Sequence, residues 1–172
     1  MKFSDSPVVA KAQIESSEQA LQRTLPDARL QVTPLPTVEQ IQLALINADY
    51  QTGPLPADVM RAVIARPAYW AFCWGSGLAL ARWLLQNPGV VAGKRVADVG
   101  CGCGIGAIAA KMAGAKEVIA CDNDQDALLS ARTNAALNNV ALAFADDVAC
   151  LDNGFDLILM ADVLYDRSNY PR

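Results

Sequence analysis

The most constraining stretch of this chain is residues 95–106, RVADVGCGCGIG. A short apolar strand over Val96–Val99 runs into four glycines spaced two apart, Gly100, Gly102, Gly104 and Gly106, and then into a helix. Glycine has no Cβ, so the chain can turn sharply there and bring backbone N–H groups close to a ligand. The helix that follows adds its positive N-terminal end. Such a strand, turn and helix are built to hold a nucleotide or nucleoside cofactor.

From Lys94 onward the pattern is regular. Strand 94–99 leads to a helix over 104–113, closed by Gly114, and strand 117–121 ends at Asp122. Asp124 is placed to cap a helix over 125–137. Strands 140–144 and 155–161 then end beside Asp146 and Asp162. Strand and helix in alternation predict an α/β, Rossmann-like, doubly wound and mostly parallel sheet with helices on both faces. The last strand, FDLILMA, is apolar on both faces, as a central strand is. At a sheet edge it would invite aggregation, so the domain is expected to be incomplete at its C-terminal side. Upstream, a helix over residues 1–25 ends at Pro26, and Leu30–Thr33 and Ile41–Ile46 read as strands joined through Pro34 and Pro36. Short helices are expected over Asp58–Arg66 and Gly77–Gln86. This divides the chain into an N-terminal helical and hairpin extension, 1–66, and a cofactor-binding domain with its first four strands, 67–172.

Composition removes several classes of function. No apolar run reaches the ~18 residues needed to span a bilayer, so no membrane role is expected. A net charge of -4 without a basic stripe disfavours a nucleic-acid partner. The chain has no histidine, so it cannot itself supply an imidazole base or a His-ligated metal. Five cysteines without framework spacing point to a reducing compartment. The N-terminal residues resemble neither a secretory signal nor a transit peptide, and a cytoplasmic location is expected.

In open parallel sheets, ligands sit beyond the carboxyl ends of the strands. Here an acid stands at or just past each of those ends: Asp98, Asp122, Asp146 with Asp147, and Asp162. A single acid after a strand is usually a solvated turn or a helix cap; four on one rim beside a glycine turn point to a site. Asp122, at the end of the neighbouring strand, can accept both hydroxyls of a ribose. Asp98 lies beneath the turn, where it can orient N–H groups and bind a ligand amine. Gly102-x-Gly104-x-x-Ala107 also satisfies the dinucleotide fingerprint, so a nicotinamide-dependent oxidoreductase stays open at this point. Cys101 and Cys103 lack the further ligands zinc requires, and Cys101 lacks an activating base; small side chains in a tight turn explain them. Tyr69 to Leu85 reads as an aromatic-rich core helix with a capped start, whose Gly and Ser residues could also pass close to a cofactor. Asp162 and Tyr165 set a carboxylate and a phenol beyond the fourth strand, where a substrate would meet the cofactor.

Taken together, DVGCGCG, ACDND and FDLILMADVLY resemble the class I, S-adenosylmethionine-dependent methyltransferases. More narrowly, YWAFCWGSGLALARWLLQNP, GKRVADVGCGCG, IAAKMAGA and ADVLYD resemble the seven-strand protein lysine methyltransferases, in the branch that modifies the electron transfer flavoprotein β subunit. The likeness runs from about Arg66 to Asp166. It implies S-adenosylmethionine as cofactor and a protein presenting a lysine as substrate. Small-molecule, nicotinamide-type N-methyltransferases and ribosomal-protein methyltransferases are rivals within the class. A non-catalytic cofactor-binding module is a rival outside it. The implied cofactor residues are Trp74, Gly77, Asp98, Gly100, Cys101, Gly102, Gly104, Asp122, Asn123, Asp146 and Ala161. Within that set Asp98 lies near the amine, Asp122 on the ribose, and Asn123 and Asp146 by the adenine. Asp162 and Tyr165 match the D-x-x-Y motif that lines the lysine channel, and no metal is implied. Where the branch has Trp-Pro-(Gly/Ala)-Gly, this chain has Trp74-Gly75-Ser76-Gly77, a departure expected to free that loop.

Overall fold

A computed structural model describes residues 7–50 and 53–163 of the chain. In order they form α1 (Pro7–Gln22), β1 (Leu30–Pro34), β2 (Gln42–Ile46), α2 (Ala57–Ala65), α3 (Gly75–Gln86), β3 (Arg95–Val99), α4 (Ile105–Met112), β4 (Glu117–Cys121), α5 (Gln125–Leu137), β5 (Ala143–Ala145) and β6 (Leu157–Met160). The strands from β3 onward build one parallel sheet in the order β5-β4-β3-β6. The chain thus steps outward from β3 to β5, then returns to the other side of β3. That reversal opens a crevice at the carboxyl ends of β3 and β6, the usual place for a ligand in such sheets. The sheet is Rossmann-like, as the alternation of elements predicts.

Strand alternation assigns Val96, Asp98, Val118, Ala120, Leu157 and Leu159 to one face. Their apolar members share a core with residues of α3, α4 and α5, including Leu84, Ile108 and Ala131. Helix α4 is sunk between the sheet and the other helices. Ile105, Gly106, Ala107, Ile108, Ala109 and Ala110 are all buried, and the run of small residues lets its neighbours approach closely. The opposite face carries Ile158 and Met160, which stand 56% and 54% exposed. Of the two helical layers of a doubly wound sheet, the described residues supply one.

Two strands are shorter than their sequence pattern, each for a local reason. Val140 donates its N–H to Ala135 O at 3.0 Å, which draws it into the C-terminal turn of α5 and away from the ladder. At the start of β6, Phe155 sits under the Arg95 guanidinium at 4.9 Å. There Arg95 N–H also donates to the Asp156 carboxylate at 2.8 Å.

The N-terminal hairpin completes the same core. β1 and β2 pair antiparallel, Leu30 opposite Ile46, and Leu35, Val38, Ile41, Leu43 and Leu45 lie among the buried residues of α3 and α4. Asn134 of α5, wholly buried, joins the hairpin to the glycine turn. Its Oδ1 accepts from Ala44 N–H at 2.8 Å and its Nδ2 donates to Cys103 O at 2.9 Å. Asn134→Ala orphans one buried donor and one buried acceptor, and should destabilise the fold by about 2–4 kcal/mol. Denaturant titration, read as a lower midpoint at unchanged slope, checks this.

Candidate active site

The turn after β3 is built from left-handed glycines, with φ of 69° at Gly100, 51° at Gly102 and 81° at Gly104. Gly104 caps α4, and a Cβ on it would meet Ala131 of α5 at 3.0 Å. Its position therefore serves helix packing, and it does not line the cleft. Beneath the turn lies Asp98, 3% exposed. Its Oδ2 accepts the N–H of Ala107, in the first turn of α4, at 2.7 Å. A Cβ on Gly106 would come within 2.8 Å of that same oxygen, so only glycine lets the helix settle on the carboxylate. Burial pushes the Asp98 carboxyl up to about 7 against the stabilising Ala107 N–H, and the Asp122 charge adds to the rise.

Asp122, partly buried at the end of β4, accepts from Gly102 N–H and from Asp124 N–H, both at 3.0 Å. Burial raises its pKa despite those two hydrogen bonds. Asp124 caps α5 through Asp126 N–H at 3.0 Å, as the sequence pattern predicts. It is tied in turn to Arg66, whose Nη2 reaches Asp124 at 3.2 Å and Asp126 at 3.0 Å. The loop carrying Asp122 is thereby clamped from the N-terminal segment.

Trp74, Gly77, Asp98, Gly100, Cys101, Gly102, Ala161 and Asp162 converge on one open cleft of ≈ 380 Å³, solvent space at its mouth included. No lysine or arginine is among its described lining residues. Cys103, Ile105 and Gly106 also line it. The first two have no polar signature that a sequence reading could pick out, and Gly106 is visible only as the fourth glycine of the series. Asp122 borders the turn through Gly102. Asn123 and Asp146 are exposed, and Asp146 is approached by Gln125 Nε2 at 3.4 Å; neither lines the cleft. Tyr165 lies outside the described residues. Gly77 has a second duty, since a Cβ there would meet Ile105 of α4 at 3.1 Å. Burial, and then the Asp98 and Asp122 carboxylates, push the Cys101 thiol well above its usual value. It is no activated nucleophile.

The segment expected to be loose is anchored twice. Trp74 Nε1 donates to Tyr69 O at 2.9 Å, and its ring meets that of Tyr69 edge-on at 5.9 Å. Ser76 Oγ donates to the Asp162 carboxylate. Asp162 itself has a φ of 56°, a left-handed conformation uncommon outside glycine. The serine that departs from the Trp-Pro-(Gly/Ala)-Gly pattern thus holds the acid at the mouth of the cleft.

The profile of the Ribosomal protein L11 methyltransferase (PrmA) family matches residues 81–166, half of the chain. The chain belongs to that methyltransferase family. The matched span holds the glycine turn, the Asp98 and Asp122 carboxylates and Asp162. The Electron transfer flavoprotein beta subunit lysine methyltransferase of Danio rerio is 48% identical over 103 residues, covering 58% of this chain and 40% of its own length. The Ribosomal protein L11 methyltransferase of Xylella fastidiosa is 44% identical over 99 residues, covering 53% and 32%. A crystal structure of a ribosomal protein L11 methylase from Lactobacillus delbrueckii subsp. bulgaricus is 38% identical, covers 52% of this chain and 47% of that one, and has a TM-score of 0.46. The chain spans about two fifths of the length of the first of these relatives.

The buried acid has a pH signature. With Asp98 raised from 3.8 to about 7, the folded chain holds a proton that the unfolded chain releases. That contribution to stability is complete below about pH 4 and is lost as the pH rises through about 7. Thermal melts of the ligand-free protein across pH 4–8 should show this decline relative to Asp98→Asn, in which it is removed.

Proposed function

We propose that this chain is the cofactor-binding part of an S-adenosylmethionine-dependent methyltransferase whose acceptor is a protein lysine, such as one in the β subunit of electron transfer flavoprotein. One observation carries the reading. A carboxylate lies buried under the glycine turn and a second stands at the mouth of the same cleft, with no cation among the described lining residues. That charge pattern favours ligands with an ammonium or sulfonium and opposes a pyrophosphate, which weighs against the nicotinamide reading. Membership of the methyltransferase family and the lysine methyltransferase relatives support it from the side of sequence.

The residues fit the cofactor. No atom lies within 4 Å of where a Cβ on Gly102 would stand, so the turn leaves room beside it, and Asp98 is a carboxyl awaiting a positive partner. Asp98 would hold the amine, Gly100 and Gly102 would line the methionine part, and Asp122 would take the ribose through lone pairs its two N–H donors leave free. Trp74 would cover the other side. When bound, S-adenosylmethionine supplies a methyl group activated by the sulfonium. The protein's own task is alignment and charge. A lysine amine must be neutral to attack, and from a reference pKa near 10.4 that costs about 4.6 kcal/mol at pH 7. Asp162 does not lower this cost, because a carboxylate favours the ammonium. It draws the amine to the cleft and stabilises the positive charge that grows on nitrogen, while water removes the proton. Ser76 fixes the direction in which Asp162 points. The five thiols, all free, support a reducing compartment such as the cytoplasm.

Calorimetry should show binding of S-adenosylhomocysteine and none of NAD. Tritium-labelled donor should mark a lysine of the flavoprotein β subunit; label on ribosomal protein L11 or only on small metabolites would replace that substrate. Asp162→Asn should cut turnover roughly 100-fold with cofactor affinity kept. Ser76→Ala should cut it about fivefold, and intact turnover in Asp162→Asn would remove Asp162 from the reaction.

A further inference from the structure

Away from the cleft, a second depression follows the outer side of α3. It is an open groove of ≈ 280 Å³, lined by Leu78, Ala79, Arg82 and Trp83 of the helix and by Thr37 of the hairpin loop, with Gly75 at one end. Trp83 is 48% exposed there. Thr37 has a φ of 70°, a region that β-branched residues rarely enter. Such strain persists where surrounding structure or function demands it. Arg82 is exposed and, among the described residues, its guanidinium makes no ion pair or hydrogen bond. In a chain with net charge -4, it is a free cation beside an apolar floor.

At one end of the groove Gly75 stands in sequence between Trp74 and Gly77, which line the cleft. Gly75 adjoins Ser76, the residue hydrogen-bonded to Asp162, so a polypeptide whose lysine entered the cleft would leave it at this end of α3. Arg82 and Trp83 lie about 11–12 Å further along the helix, at 1.5 Å per residue. An extended chain covers that distance in about three or four residues.

We propose that this groove binds the stretch of the acceptor protein flanking the methylated lysine. That stretch is extended, lays an apolar or aromatic side chain on Leu78 and Trp83, and sets a carboxylate on Arg82 three to five residues from the lysine. The inference rests on the methyl-transfer reading above and adds how a protein substrate is told from a free amine. A carboxylate is the complement of Arg82, and the negative remainder of the molecule rejects acidic segments elsewhere, which makes the pairing selective.

The test uses fluorescein-labelled lysine peptides of about twelve residues, each with one aspartate walked along either side of the lysine. Anisotropy is read with the full chain in saturating S-adenosylhomocysteine. An aspartate three to five residues away on one side should tighten binding about fivefold. Arg82→Glu should transfer that preference to a lysine at the same place, and Trp83→Ala should weaken every peptide severalfold. Both variants should keep the parent affinity for S-adenosylhomocysteine by calorimetry. Equal affinity wherever the aspartate stands, or a preference that survives Arg82→Glu, overturns the groove while the cofactor reading stands. Failure of the parent chain to bind S-adenosylhomocysteine overturns the methyl-transfer reading instead, and the groove with it. Loss of a dimer in Trp83→Ala by light scattering would make the groove a contact between two copies, and would likewise end the proposal.

Discussion

The hydrogen bond from Ala107 N–H to the buried carboxyl of Asp98 is the contact on which the rest of this structure depends. It joins the central strand to the first turn of α4, satisfies a helix donor that has no partner within the helix, and sets the path of the glycine turn above it. Burying a carboxyl is costly, and the molecule bears that cost by raising the group's pKa toward neutrality. The result is an acid that one N–H donor does not saturate, beneath a turn whose residues are buried or half-buried. A positively charged ligand group would relieve it. Stability and binding are therefore opposed at this one position.

Around that contact, rigidity reaches the site from parts of the chain that do not line it. Asn134 draws the glycine turn toward the N-terminal hairpin. Arg66 steadies the Asp122 loop through Asp124. The hairpin shares its core with α3 and α4, so the face of α3 that points away from the sheet is backed by a packed interior on its other side. A helix supported in this way can offer a fixed surface at the edge of the cleft. The loop ahead of it is held by an aromatic pair, and the helix's own first turn by the Ser76–Asp162 hydrogen bond. That bond spans 86 residues of sequence.

The parallel sheet and the acids at its strand ends were legible in residues 94–162, because strand periodicity, glycine turns and capping aspartates are local signals; the order of the strands was not. The family was legible for the same reason, since its motifs lie in the turns after the strands. Other features were not. That Gly104 serves α5, or that Gly77 lets α3 close on Ile105, depends on which helices meet. Val140 reads as strand from its neighbours yet is held by the last turn of α5, a competition no hydropathy pattern expresses. Asn123 and Asp146 follow the ends of β4 and β5 but remain outside the cleft, because the crevice opens between β3 and β6.

The sequence by itself determined the backbone grammar of this protein. It set where glycine must stand, where a carboxylate follows a strand, and where a helix starts, because those preferences act within a few residues. Only the tertiary structure decided which of those groups face one another. Asp98 became a buried, proton-holding acid, Ser76 became the support of Asp162, and Arg82 was left without a partner. Each outcome rests on distances between segments far apart in the chain, set by the packing of α3, α4 and α5 on a single face of the sheet.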